Sequence, residues 1–126
     1  MLNDFVLSSA DLGGDVHVVT VGGELDVATV PEVREELNRI TDEGGREIVI
    51  DLLAVPFVDS VALGLLVETS KRVKARGGAL RIVSADRRIA RIIEITGLER
   101  VLSRHSTLRE ALESTDSSPL SRAAVR

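Results

Sequence analysis

Ile48-Val49-Ile50-Asp51-Leu52, then Ala54-Val55-Pro56-Phe57-Val58, then Asp59-Ser60-Val61-Ala62-Leu63-Gly64 run consecutively with only Leu53 between the first two groups. The first segment, with Glu47 before it, is short, β-branched and apolar, as a strand buried on at least one face must be. Pro56 breaks the chain, and Asp59 and Ser60 are side chains that start helices. The spacing predicts a helix from Ser60 to about Ala75, apolar nearly all round in its first half and basic in its second (Lys71, Arg72, Lys74, Arg76). The front of that helix is therefore expected to be buried or to bind something.

Working outward, the same alternation recurs. Asp4–Ser9 and Val16–Val21 read as two strands of a hairpin, because Gly13 and Gly14 permit a tight reversal. Thr29 or Asp26 can cap a helix on which Val30, Val33, Leu37 and Ile40 recur at helical spacing, with Pro31 in its first turn and Gly44-Gly45 at its end. Beyond Gly77-Gly78 come a strand at Leu80–Val83, a helix marked by Ile89, Ile92 and Ile93 that ends at Gly97, an edge strand near Val101-Leu102, and a last helix through Leu108, Ala111 and Leu112. The order β-β-α-β-α-β-α-β-α calls for an α/β fold: a mixed, mostly parallel sheet of about five strands with four helices. Right-handed crossovers in chain order put the connecting helices on one face. The other face is expected to be partly open, with His17 and Arg81 in its strands. Residues 1–114 read as one domain and 115–126, around Ser117-Ser118-Pro119, as a disordered tail.

The 126 residues, 44% hydrophobic and 29% charged, suit one core. With two Phe and no Trp or Tyr, the base-stacking platforms of nucleic-acid modules are missing. The absence of cysteine removes disulfides, thiolate nucleophiles and cysteine zinc sites. His17 and His105 share no ligand spacing, so no metal is expected, and the glycine pairs lack nucleotide-loop spacing, so no cofactor is either. No signal peptide or membrane span is evident, and the default is a cytoplasmic, monomeric protein. Residues 1–51 carry 12 acidic and 3 basic side chains, residues 52–126 carry 8 and 13, a division that suits steering of a charged partner. Arg87, Arg88 and Arg91 read as a solvated helix face, and Glu24 and Asp26 as a solvated turn.

A hydroxyl at a helix start lies beside unpaired backbone N–H groups and the positive end of the dipole, so a phosphate on Ser60 would be stabilised there. The plainer reading is that Asp59 or Ser60 simply caps the helix. Enzyme chemistry at Ser60 needs a base and an oxyanion hole, and nothing in the sequence supplies them.

Taken together, Gly23-Glu24-Leu25-Asp26, Ile48–Leu52, Phe57–Gly64, Gly77-Gly78-Ala79-Leu80 and Thr96-Gly97-Leu98 resemble, in order and spacing, the STAS domains of bacterial anti-sigma factor antagonists. The resemblance runs from about Asp4 to Glu113. It implies a (βα) superhelical sheet whose serine is phosphorylated by a partner serine kinase that is also the anti-sigma factor. The unphosphorylated form binds that kinase and frees a sigma factor, and a serine phosphatase resets it. Carried over, Ser60 is the phosphoacceptor; Glu24, Asp26, Asp59 and Ser60 face the kinase, with Val61 and Leu65 as apolar contact anchors. Nucleotide and magnesium belong to the kinase. The usual Asp-Ser-Ser-Gly-Leu-Gly reads Asp59-Ser60-Val61-Ala62-Leu63-Gly64 here, which implies tighter access to Ser60 or a different kinase preference. The alternative is a non-phosphorylated sensory or scaffold STAS module that binds a small ligand or a stress-signalling complex.

Overall fold

In a computed structural model the chain is described over residues 5–115. The strands are β1 (Val6–Gly13), β2 (Val16–Gly22), β3 (Glu47–Ala54), β4 (Ala79–Val83) and β5 (Ser103–His105). The helices are α1 (Val30–Asp42), α2 (Ser60–Lys74), α3 (Arg87–Ile95) and α4 (Leu108–Glu113), with a 3-10 turn at Leu98–Arg100. One five-stranded sheet holds them in chain order, β1 antiparallel to β2 and the rest parallel. The first strand runs further than its pattern indicated, up to the reversal itself. There Gly13, Gly14 and Asp15 all have positive φ, at 83°, 61° and 66°. Asp4 lies outside the described residues.

Parallel strands taken in order require right-handed crossovers, and α1, α2 and α3 do share one face. Val19, Val21, Ile48, Ile50, Leu52, Leu80 and Ile82, alternate residues of β2 to β4, meet Val33, Leu37 and Ile40 of α1, Leu65 and Leu66 of α2 and Ile89 and Ile93 of α3 in one core. The close approach of the α2–β4 turn to β3 depends on Gly78, where a Cβ would stand 2.1 Å from the Arg46 carbonyl oxygen. Only glycine fits there.

The opposite face is not left open in the way the sequence indicated. Leu108, Ala111 and Leu112 of α4 cover Val18, Val49 and Val83. Arg81 on this face is mostly buried, donating to Glu47 at 2.7 Å and to the Ser114 carbonyl at 2.9 Å, so its charge fastens α4 rather than meeting water. His17 lies on the α1 side instead, 3.7 Å from Asp11 and close to Gly45. What stays exposed on the far side belongs to β1 and the end of β3: Val6, Leu12 and Leu53. The edge strand is Ser103–His105, not Val101-Leu102, because Leu102 is fully buried as a core plug and its N–H turns back to the Leu98 carbonyl. Thr115, assigned to the tail, is buried at 1% exposure and donates to the Leu112 carbonyl. The rest of that segment lies outside the described residues. No helix among the described residues is long and apolar enough to cross a membrane.

Candidate functional site

Beyond the ends of β2 and β3 the chain continues as two loops that lie side by side. Gly23 N–H donates to the Ala54 carbonyl at 3.0 Å, Leu25 N–H to Phe57 O at 3.0 Å, and Asp59 N–H to Leu25 O at 3.2 Å. Leu25 and Val58, both buried, form the bridge between them. These bonds fix where each loop's aspartate sits.

Asp26 accepts from the N–H groups of Ala28 (3.0 Å) and Thr29 (3.2 Å), closing the turn into α1. The Thr29 hydroxyl faces back into the loop, donating to Glu24 O at 2.9 Å while accepting from Asp26 N–H at 3.0 Å. Asp59 is the N-cap of α2: one carboxylate oxygen accepts from Ala62 N–H at 2.9 Å, the other from Val27 N–H at 3.0 Å. A single carboxylate therefore caps the helix and clasps the neighbouring loop. Capping falls to Asp59, so Ser60 is free of it. Ser60 is the first residue of α2 and is exposed.

Around that hydroxyl stand exposed apolar side chains: Val27 at 66%, Phe57 at 50% and Val61 at 43%. Isolated apolar residues on a surface need no explanation, whereas these three lie on neighbouring loops and the same helix start. From Ser60 an open depression follows α2 along Leu63, Gly64 and Val67 to Lys71, with Leu98 opposite. Leu65, expected here as a contact anchor, is 1% exposed and belongs to the core, since its place on the helix turns it toward the sheet. Of the two apolar residues before Asp59, Val58 is buried and anchors the loop, and Phe57 faces out. Ala62 is fully buried, so its methyl group fills core space and does not narrow the approach to Ser60.

The sequence made Ser60 and Asp59 visible but not the Asp59–Val27 bond, nor Val27 itself. An apolar residue between Asp26 and Ala28 in a predicted solvated turn was the available signal. Glu24 is exposed and Asp26 half-buried, so three carboxylates (Glu24, Asp26, Asp59) lie on these two loops. Neither histidine bonds Ser60 among the described residues: His105 pairs with the Ser103 hydroxyl at 2.9 Å, and burial lowers its pKa from the ordinary value. The side of α1 facing the sheet is filled by Val30, Val33, Leu37 and Ile40, each at most 3% exposed. A ligand pocket beneath the first helix, the feature that a small-ligand sensor would need, is therefore not found there. α3 is tied to the site loop through Arg88, which donates to the Pro56 carbonyl at 3.3 Å.

A parallel sheet ordered along the chain, an antiparallel first strand and an exposed serine opening α2 behind a capping aspartate define a class. The chain belongs to the STAS domain family, whose profile matches residues 10–111. Its relatives within that family include the anti-sigma-B factor antagonist of Staphylococcus aureus, 44% identical over 86 residues, which span 68% of this chain and 80% of that protein. The anti-sigma-B factor antagonist of Staphylococcus epidermidis is 41% identical over 88 residues, 70% of this chain and 82% of that one. Among solved structures, an anti-sigma factor antagonist from Mycobacterium paratuberculosis superposes with a TM-score of 0.81 at 29% identity, covering 89% of this chain and 94% of the other.

Proposed function

We propose that this chain is an anti-sigma factor antagonist: it binds an anti-sigma factor that is also a serine kinase, through the surface around Ser60, and releases a sigma factor by doing so. Phosphorylation of Ser60 ends the interaction and a serine phosphatase restores it. The observation that carries this reading is the Ser60 hydroxyl, exposed at the first position of α2 while Asp59 does the capping, with Val27, Phe57 and Val61 around it. The names of the relatives support the class of partner.

Apolar rim and hydroxyl have different tasks. Val27, Phe57 and Val61 supply contact area that the fold leaves in water, at about 25 cal/mol for each Å² of apolar surface covered. The hydroxyl supplies the switch. A phosphate adds about −1.5 to −2 charges at neutral pH, tolerated in the free protein by the N–H groups and dipole at the start of α2. In a complex that charge meets the kinase beside its own nucleotide phosphates, and the carboxylates of Glu24, Asp26 and Asp59 already make this end negative. Repulsion raises the dissociation rate. The protein contributes no catalytic group; the transferred phosphoryl and its metal belong to the kinase.

The experiment is a set of binding measurements against the anti-sigma kinases encoded in the same genome. Wild type and Ser60→Ala are expected to bind alike, and Ser60→Asp to bind about ten- to a hundredfold more weakly, its single charge giving part of the effect of phosphate. With ATP, the intact mass should rise by one phosphate in wild type and stay unchanged in Ser60→Ala. Equal modification of the alanine variant, or binding indifferent to Ser60→Asp, overturns the switch and leaves the non-phosphorylated scaffold as the better reading.

A further inference from the structure

Not every arginine among the described residues has a carboxylate partner. Arg34, Arg39, Arg46, Arg81, Arg88 and Arg109 each hold a carboxylate within 4.0 Å. Arg87, Arg91 and Arg104 hold none among the described residues, and all three line one groove between α3 and β5. Glu94 and Glu99 line the same groove and are likewise unpaired there. Opposite charges that share a groove and do not meet are being held apart.

The fold shows how. α3 runs back against the direction of the strands, so Arg87 stands at one end of its groove-facing stripe and Glu94 at the other, with Arg91 between them. Arg104 lies on β5, its Nη1 donating to the Ser84 carbonyl at 2.8 Å, beside the site from which α3 sets out. Glu99 lies on the 3-10 turn that leads into β5. The floor between is apolar, made of Ile93 and Leu102, both nearly inaccessible. Among the described residues β5 has a strand partner on one side only, since the sheet ends with it.

We propose that this groove takes an extended segment of a protein partner, laid along β5, with an acidic side chain over Arg87, Arg91 and Arg104 and a basic one over Glu94 and Glu99. A free phosphate or a nucleic-acid backbone fits less well, because the two glutamates would repel it from half of the groove. Seven helical residues separate Arg87 from Glu94, about 10 Å along the axis. That distance is about three residues of extended chain, and because side chains alternate between the two faces, both charges reach the groove together at separations of about two or four positions. Strand addition at an open sheet edge is an established way to hold such a segment, with side-chain spacing giving selectivity. The groove lies across α3 from Ser60 and does not depend on the proposed phosphorylation.

The test is an array of short peptides, each with one glutamate and one lysine on a Val/Thr background, their separation varied from one to six positions and in both orders, probed with the whole labelled protein. Binding is expected to be strongest at separations of about two or four, in at least one order, and weak at about three. It should fall about tenfold in the exposed double variant Arg87→Glu/Arg91→Glu and stay unchanged in Ser60→Ala. A response flat in spacing overturns the proposal. So does stronger binding of all-acidic peptides or of inorganic pyrophosphate, either of which makes the arginines a plain anion surface.

Discussion

Two helices of this protein begin with the same device and present opposite surfaces. Asp59 caps α2 and Asp86 caps α3, each accepting a backbone N–H from the first turn. The difference lies in the other bonds of each carboxylate. Asp59 gives its second oxygen to Val27 N–H in a neighbouring loop, whereas Asp86 gives its oxygens to the guanidinium of Arg88, two residues on. One cap is therefore tertiary and the other local. In α2 the first turn, Ser60-Val61-Ala62-Leu63, carries no charge of its own, and the hydroxyl is left beside apolar neighbours. In α3 the first turn is Arg87-Arg88, and the helix start is cationic. What a helix start presents thus depends on what its cap and its first turn leave unpaired.

The largest expected effect separates surface from foundation within α2. Leu65→Ala removes a fully buried side chain and should cost about 2–5 kcal/mol, whereas Val61→Ala, at an exposed position four residues earlier, should change stability by less than about 0.5 kcal/mol while weakening partner binding. Equal losses in denaturant unfolding would erase the distinction. Next comes the comparison of caps. Asp59→Ala removes both the cap and the clasp on Val27 and should cost about 2–3 kcal/mol, and Asp86→Ala clearly less. Amide exchange at Val27 should accelerate in the first variant alone. If the two caps cost the same and Val27 remains protected, the clasp contributes nothing.

Much of this was readable in the residues, and the misses have physical causes. Glycine pairs and β-branched runs gave the alternation of elements because a parallel sheet requires turns and buried strands in that order. The edge strand was expected, but its bounds were misplaced by about two residues, because Ser103-Arg104-His105 is a strand only through its pairing with β4, while the apolar Val101-Leu102 beside it carries the stronger signal. His17 and Arg81 lie on opposite faces, in β2 and β4, and periodicity alone does not say which face a helix will cover. At the site, Asp59 and Ser60 could be found from helix-start chemistry. Leu65 could not be separated from Val61, because a helix front that is apolar all round carries no facial signal. The Asp59–Val27 bond joins residues 32 apart, a contact only the folded chain creates.

Gly64 offers a smaller effect with a less obvious sign. It lies inside α2, in the open stripe below Ser60, and nothing stands within 4 Å of the position a Cβ would take. Glycine in a helix interior costs about 0.5–1 kcal/mol relative to alanine, and here the free protein gains nothing from it. Gly64→Ala is accordingly expected to stabilise the isolated chain by that amount. If the stripe is where the partner packs closely, the same substitution should weaken binding. A variant that is both more stable and a better binder would move the interface off this part of α2.

The smallest effect concerns the other helix start. The side-chain hydrogen bond from Arg88, then its backbone N–H, lowers the Asp86 carboxyl from its ordinary 3.8 to about 2. A carboxyl depressed on folding adds stability that is complete above its unfolded pKa and lost as the pH falls through the folded value, here between about 4 and about 2. A carboxyl-detected NMR titration should therefore place the Asp86 midpoint near 2 in the wild type, and Arg88→Ala should return it toward 3.8. Asp86 is only half-buried and its partner Arg88 is exposed, so the pair's effect on overall stability is small and screened by salt. The position of the midpoint is the informative quantity. An unshifted Asp86 would mean that Arg88 is not held at its cap in solution. That guanidinium would then be available to the groove or to the Ser60 loop, and the contrast between a tertiary cap and a local one would fail at α3.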